Sequence, residues 1–268
     1  MILIKNATKS FVTKAIAIST ICVASVTSTI AFAPSAFAQY GLGLPKSAGT
    51  GGSTRGNLPH LTILVPDDGA KTLASRPTFY WYIAPDSSTT APAVEANKGK
   101  FKVTFFLRDG NEKSSKAIFT AEGKASEAGL YKFTLPENVP GLVAGKVQRW
   151  QIRWQDSATQ VDVNAPIRLD NDPDVLKAIA GAKNDLDKAR IYAKSNYWYD
   201  AIDSYTTWLS QNPKDDVARA ERVEILGKGL KNNTAFRNER QSSLTTLVNK
   251  LDQTKSPLAI ALEPKIRR

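Results

Sequence analysis

The hydrophobic period of this chain changes once, near residue 170, from two to about three and a half. Before that point, short β-rich runs alternate with turn signals: HLTILVP, RPTFYWYI, KFKVTFFL, KAIFTA, GLYKFTL, KVQRWQIRW and QVDVNAPIRL. Seven runs at this spacing, punctuated by PDDG, RDGNEKSS and PENVPG, predict an immunoglobulin- or fibronectin-like antiparallel β-sandwich over residues 59–169. RDGN is the clearest hairpin signal. In RWQIRW, Trp150, Ile152 and Trp154 share one face while Gln151 and Arg153 take the other, the pattern of a half-buried strand. RPTFYWYI is aromatic on both faces. Phe79, Trp81 and Ile83 form the more apolar row and are assigned to the core; Tyr80 and Tyr82 are left to be covered by another element or to face a sugar ring.

Beyond residue 170 the pattern is helical. Asp172 followed by Pro173, with Asp174 in the first turn, is an N-cap signature. Asp170, Asp172 and Asp174 also resemble the opening of a calcium loop, but Val175 stands where such a loop needs Gly and Gly181 where it needs Glu, so capping is the reading and no metal is expected. Ala201, Ile202, Tyr205, Trp208 and Leu209 make one apolar face that Asn212 and Pro213 terminate. Val217, Ala220, Val223, Ile225 and Leu226 belong to a second helix packed back on it, with Gly227 and Gly229 as its stop. Residues 170–230 are thus expected to hold one tetratricopeptide-like helical hairpin. No second copy follows near a period of 34, so no repeat array forms.

The ends read differently. Residues 1–38 carry Lys5, Lys9 and Lys14 without an acid, then the run AIAISTICVASVTSTIAFA, then AFA, the layout of a signal peptide cut between Ala38 and Gln39. The run has six Ser or Thr and no Leu, which makes a poor permanent span. Cleavage removes Cys22, the only cysteine, so the mature chain has no disulfide of its own. Residues 39–58 are Gly-rich and predict a flexible linker. Residues 231–268 predict a basic, partly helical or disordered tail; from residue 228 on, nine Lys or Arg face three acids. Export argues against a nucleic-acid partner, and a basic end suits anionic polysaccharide or lipid headgroups.

GTGGSTRGN, LTILVPDDG with LASRPTFYWYI, YKFTLPENVPGLVAGKVQRWQIRW and YWYDAIDSY together resemble the family catalogued as domain of unknown function number 928, found mainly in cyanobacteria. The resemblance runs from about residue 50 to about residue 230 and implies the periplasm or outer cell surface. It implies no activity. The residues themselves offer little chemistry: His60 is the sole histidine and lacks a G-x-S-x-G elbow, and no Walker-type phosphate loop occurs. Asp67, Asp68, Asp156 and Asp162 are the acids a third reading, glycan hydrolysis, would need to converge. The leading expectation is a secreted or periplasmic, non-enzymatic, cofactor-free interaction protein that binds another envelope protein through Tyr197, Trp198 and Tyr199. The alternative is a carbohydrate- or envelope-surface-binding module using Tyr80 and Tyr82.

Overall fold

Strand formation follows the period-two runs. The computed structural model describes residues 40–45, 51–52, 61–83, 101–125, 129–155, 160–231, 258–259 and 262–264. The expected signal peptide, His60, Asp156 and most of the tail lie outside these residues. All seven expected runs appear as strands: β2 (Leu61–Ile63), β4 (Thr78–Ile83), β5 (Phe101–Arg108), β6 (Ala117–Ala125), β7 (Gly129–Thr134), β8 (Val147–Gln155) and β9 (Gln160–Leu169). Four short strands complete two sheets: β1 (Gly51–Gly52), β3 (Ala70–Thr72), β10 (Leu258–Ala259) and β11 (Glu263–Pro264). The five-stranded sheet runs β1-β2-β4-β7-β10 and the six-stranded sheet β11-β6-β5-β8-β9-β3. The antiparallel expectation needs correction at two edges, since β3 pairs parallel with β9 and β10 parallel with β7.

The core lies between the sheets and is built by alternation. Phe79, Trp81 and Ile83 enter it from β4, Val103, Phe105 and Leu107 from β5, and Trp150, Ile152 and Trp154 from β8. The rings interlock: Phe79 lies 4.8 Å from Trp150 and 5.0 Å from Phe105, and Phe105 lies 4.9 Å from Phe133. Burying these three aromatic and aliphatic rows at about 1.5–3 kcal/mol per large side chain supplies a dominant folding term without any disulfide.

Four helices follow: α1 (Pro173–Ala180), α2 (Asp185–Lys194), α3 (Trp198–Gln211) and α4 (Asp216–Leu230). Three begin on the caps their sequences carry. Asp172 accepts the Val175 N–H at 3.2 Å, Asn184 that of Asp187 at 2.8 Å, and Asp215 that of Ala218 at 3.0 Å. Asp172 therefore serves as a cap rather than a calcium ligand. α3 has no side-chain cap and is entered through Asn196, whose φ of 64° turns the chain back from α2. The small residues Ala189 and Ala193 of α2 and Ala201 of α3 are buried, which lets these two helices approach closely.

α4 runs through Gly227 and Gly229 to Leu230 instead of stopping, and Val217 is 63% exposed rather than packed on α3. Gly229 is required by contact, because a Cβ there would lie inside the Trp198 ring. The linker also proves partly anchored: Tyr40 is buried with its ring 5.2 Å from Trp198, the Gly43 N–H donates to Asp68 at 2.8 Å, and β1 pairs with β2. The tail likewise returns to the sandwich through β10 and β11, with Leu262 buried beside them. Sandwich and helices fall within one compact unit, Ala36–Arg268.

Candidate functional site

The two sheets have different outward faces. On the five-stranded sheet the outward row of β4 is Tyr80 and Tyr82, and α3 covers it. Tyr80 is 3% exposed and donates its hydroxyl to Asp203 of α3 at 2.6 Å; burial, then the Asp203 carboxylate, raises its pKa well above the usual phenol value. Tyr82 is buried too, and burial raises its pKa. The sugar platform expected at Tyr80 and Tyr82 is therefore interior.

The expected partner surface is also interior. Tyr197, Trp198 and Tyr199 are each no more than 3% exposed. Tyr197 donates to Asp172 at 3.1 Å and carries Lys71 Nζ 5.2 Å from its ring centroid. Trp198 donates its indole N–H to the Leu64 carbonyl at 2.9 Å. Tyr199 reaches the inter-sheet core and accepts the Trp150 indole N–H at 2.8 Å. Asp200, next in sequence, accepts the Leu73 N–H at 3.0 Å, and burial raises its carboxyl to about 6. The physical reason is simple: with no neighbouring repeat, the first turn of α3 buries its aromatics against the sandwich itself.

Of the acids of the hydrolytic reading, Asp68 and Asp162 take separate partners. Asp68 binds the Gly43 N–H near the β2–β3 turn, while Asp162 lies on β9 in an ion pair with Arg153, at 2.8 Å from Nε and 3.2 Å from Nη2. Among the described residues, no group of three His, Cys, Asp or Glu is placed to hold a metal ion.

The outward face of the six-stranded sheet is a different environment. Register places Lys102 opposite Gln155, Thr104 opposite Arg153, and Phe106 opposite Gln151, with Thr120 and Glu122 on the neighbouring β6. These residues, Gln151 apart, line a cleft of about 370 Å³. Phe106 is half-buried in it, and the guanidinium carbons of Arg153 and Arg108 lie 5.2 and 5.5 Å from its ring centroid. Lys102 pairs with Glu122 at 2.8 Å. One end of the face is closed by the β5–β6 loop: Arg149 binds the Asn111 carbonyl and its amide oxygen, and Arg108 donates to the Ser115 carbonyl at 2.8 Å. Burial, rather than the repulsion from Arg108, is the main cause lowering the Arg149 pKa.

The sequence carries a signal for this face. In FKVTFFLR, the alternation that sends Phe105 inward sends Phe106 outward beside Lys102, Thr104 and Arg108.

Architecture and cleft define a class: a mixed α/β protein, a two-sheet sandwich with α3 packed against β3 and β4 and a polar, aromatic-centred cleft on the outward face of the six-stranded sheet. Within that class, residues 46–238 match the family described as Domain of Unknown Function (DUF928), and the chain belongs to this family. No curated protein matches it.

Proposed function

We propose that this is a non-enzymatic protein of the cell envelope, exported to the periplasm or outer surface, which works by holding another envelope protein. The observation that carries the reading is α1. It is capped at its start and amphipathic, yet it buries none of its residues. Its apolar side, Val175, Leu176 and Ile179, is left half-exposed or exposed, with Leu176 at 43%. An eight-residue helix is too short to be stable on propensity alone, so an apolar stripe without a cover in the described chain favours an outside partner. The partner contact thus shifts from Tyr197, Trp198 and Tyr199 to the helix that Tyr197 anchors through Asp172.

Two finer structural readings accompany this one. The arrangement β2-β4-β7 facing β6-β5-β8-β9 favours an immunoglobulin- or fibronectin-type sandwich. The close packing of α2 on α3, through alanines and the three-residue turn 195–197, favours a tetratricopeptide-like hairpin made by those two helices rather than by α3 and α4. The basic residues after position 228 add attraction to anionic surfaces.

The test is site-specific photo-crosslinking in intact envelopes with the reactive group at position 176, compared with position 113 on the far β5–β6 loop. Crosslinks at 176 to a defined envelope protein, absent at 113 and abolished by Ile179→Asp on the same stripe, are expected. Equal recovery from both positions, or undiminished recovery at 176 in Ile179→Asp, refutes the reading. Because Ile179 is only partly covered, Ile179→Asp is expected to shift stability by no more than about 1 kcal/mol.

A further inference from the structure

We propose that the cleft between Phe106, Thr120 and Arg153 is a saccharide-binding site for a neutral glycan, separate from the protein contact on α1. The argument starts from its charges. Lys102 and Arg153 line the cleft, and each already faces a carboxylate of the same sheet, Glu122 at 2.8 Å and Asp162 at 2.8 Å. A phosphate, sulfate or uronate would compete with those carboxylates for the cations, and Glu122 within the cleft would repel it. A hydroxyl gains instead of competing. Each ion pair sets a donor beside an acceptor, the arrangement that two adjacent sugar hydroxyls satisfy together.

The remaining lining fits the same occupant. Thr104, Thr120 and Gln155 supply further groups able both to give and to receive hydrogen bonds. Phe106 is held under the guanidinium groups of Arg153 and Arg108, 5.2 and 5.5 Å from its centroid, and this ring-and-guanidinium stack is the apolar, planar contact that a pyranose would meet. The ring stands on rigid strands: β5 is held on both sides by β6 and β8 over its length. Its volume of about 370 Å³ falls at the small end of ligand clefts, which suits a short stretch of sugar rings rather than a folded partner.

The experiment uses the full chain and four probes: cellotetraose, maltotetraose, the tetramer of N-acetylglucosamine, and the tetramer of galacturonic acid as the acidic arm. Titration calorimetry and backbone NMR shifts read binding. At least one neutral tetramer is expected to bind and to shift residues of β5, β6 and β8. Phe106→Leu, which keeps apolar bulk but removes the ring, and Gln155→Ala are each expected to weaken that binding about tenfold. Both variants should keep the parent melting temperature, so a loss of binding is not a loss of fold. Raising salt to about 1 M, where screening reaches about 3 Å, should change the affinity less than about twofold. Failure of all three neutral tetramers overturns the proposal. So does unchanged binding in both variants, or binding confined to the galacturonate tetramer and abolished by salt. None of these outcomes bears on the crosslinking at position 176, which tests a different surface.

Discussion

The Trp150 indole N–H donates to the Tyr199 hydroxyl at 2.8 Å, inside the core and across the junction between β8 and α3. Both side chains are buried, so neither group has water to fall back on. Tyr199→Phe leaves the ring contacts with Phe79 in place and orphans the indole. It is expected to cost about 1–3 kcal/mol in urea unfolding, and a variant as stable as the parent would show that the junction tolerates an unpaired indole.

Gly229 tests the seating of α4. In an exposed helix, Gly→Ala is stabilising by about 1 kcal/mol. Here the added methyl would enter the Trp198 ring, and Trp198 is fully buried and tied to the Leu64 carbonyl. Overpacking wins: Gly229→Ala is expected to destabilise by about 1–3 kcal/mol, measured as a lowered melting temperature. Gly227→Ala, where nothing lies within reach of a Cβ, is expected to stabilise.

Asp200 gives stability a pH dependence of definite sign. Its carboxyl, raised by burial from 3.8 to about 6, holds its proton more tightly folded than unfolded. Its contribution is therefore full below about pH 4 and is lost as pH climbs through about 6, an effect of up to roughly 3 kcal/mol. Denaturation midpoints across pH 4 to 7 should fall with rising pH in the parent more steeply than in Asp200→Asn, which carries no titrating group. Parallel curves for the two proteins contradict the assignment.

Tyr40 is expected to matter as a core residue although it lies in a Gly-rich stretch. Its ring meets Trp198 edge-on at 5.2 Å, and burial is the main cause raising its pKa, followed by Glu224. Tyr40→Ala should cost about 3 kcal/mol, seen in the urea midpoint; a cost below about 0.5 kcal/mol would return residues 40–45 to the role of tether.

The long strands were legible because eight or nine residues of alternation leave a clear mark, as in Val147–Gln155, where Trp150, Ile152 and Trp154 all point inward. β1 and β10 left none. Gly51–Gly52 and Leu258–Ala259 have two residues each, too few to show a period, and their strand state comes from backbone bonds to β2 and β7. The same limit applies to the aromatics. Composition marked Tyr80, Tyr82, Tyr197, Trp198 and Tyr199 as large and amphipathic, but whether such residues are buried depends on which distant element meets them: Asp203 meets Tyr80 from 123 positions away, and Leu64 meets Trp198 from 134. Gly229 misled for a related reason, since a glycine spared for contact looks the same in sequence as one placed to end a helix.

The return of residues 258–264 to the far edges of both sheets governs the order in which this protein can be made. β10 pairs with Tyr131 and Lys132 on the β7 edge and β11 with Ala121 and Glu122 on the β6 edge, so both borders stay bare until residues 258–264 have emerged. The nascent sandwich cannot seal itself early. Its exposed borders are open to pairing with other copies during that interval, and a chain cut short before residue 258 carries that hazard permanently.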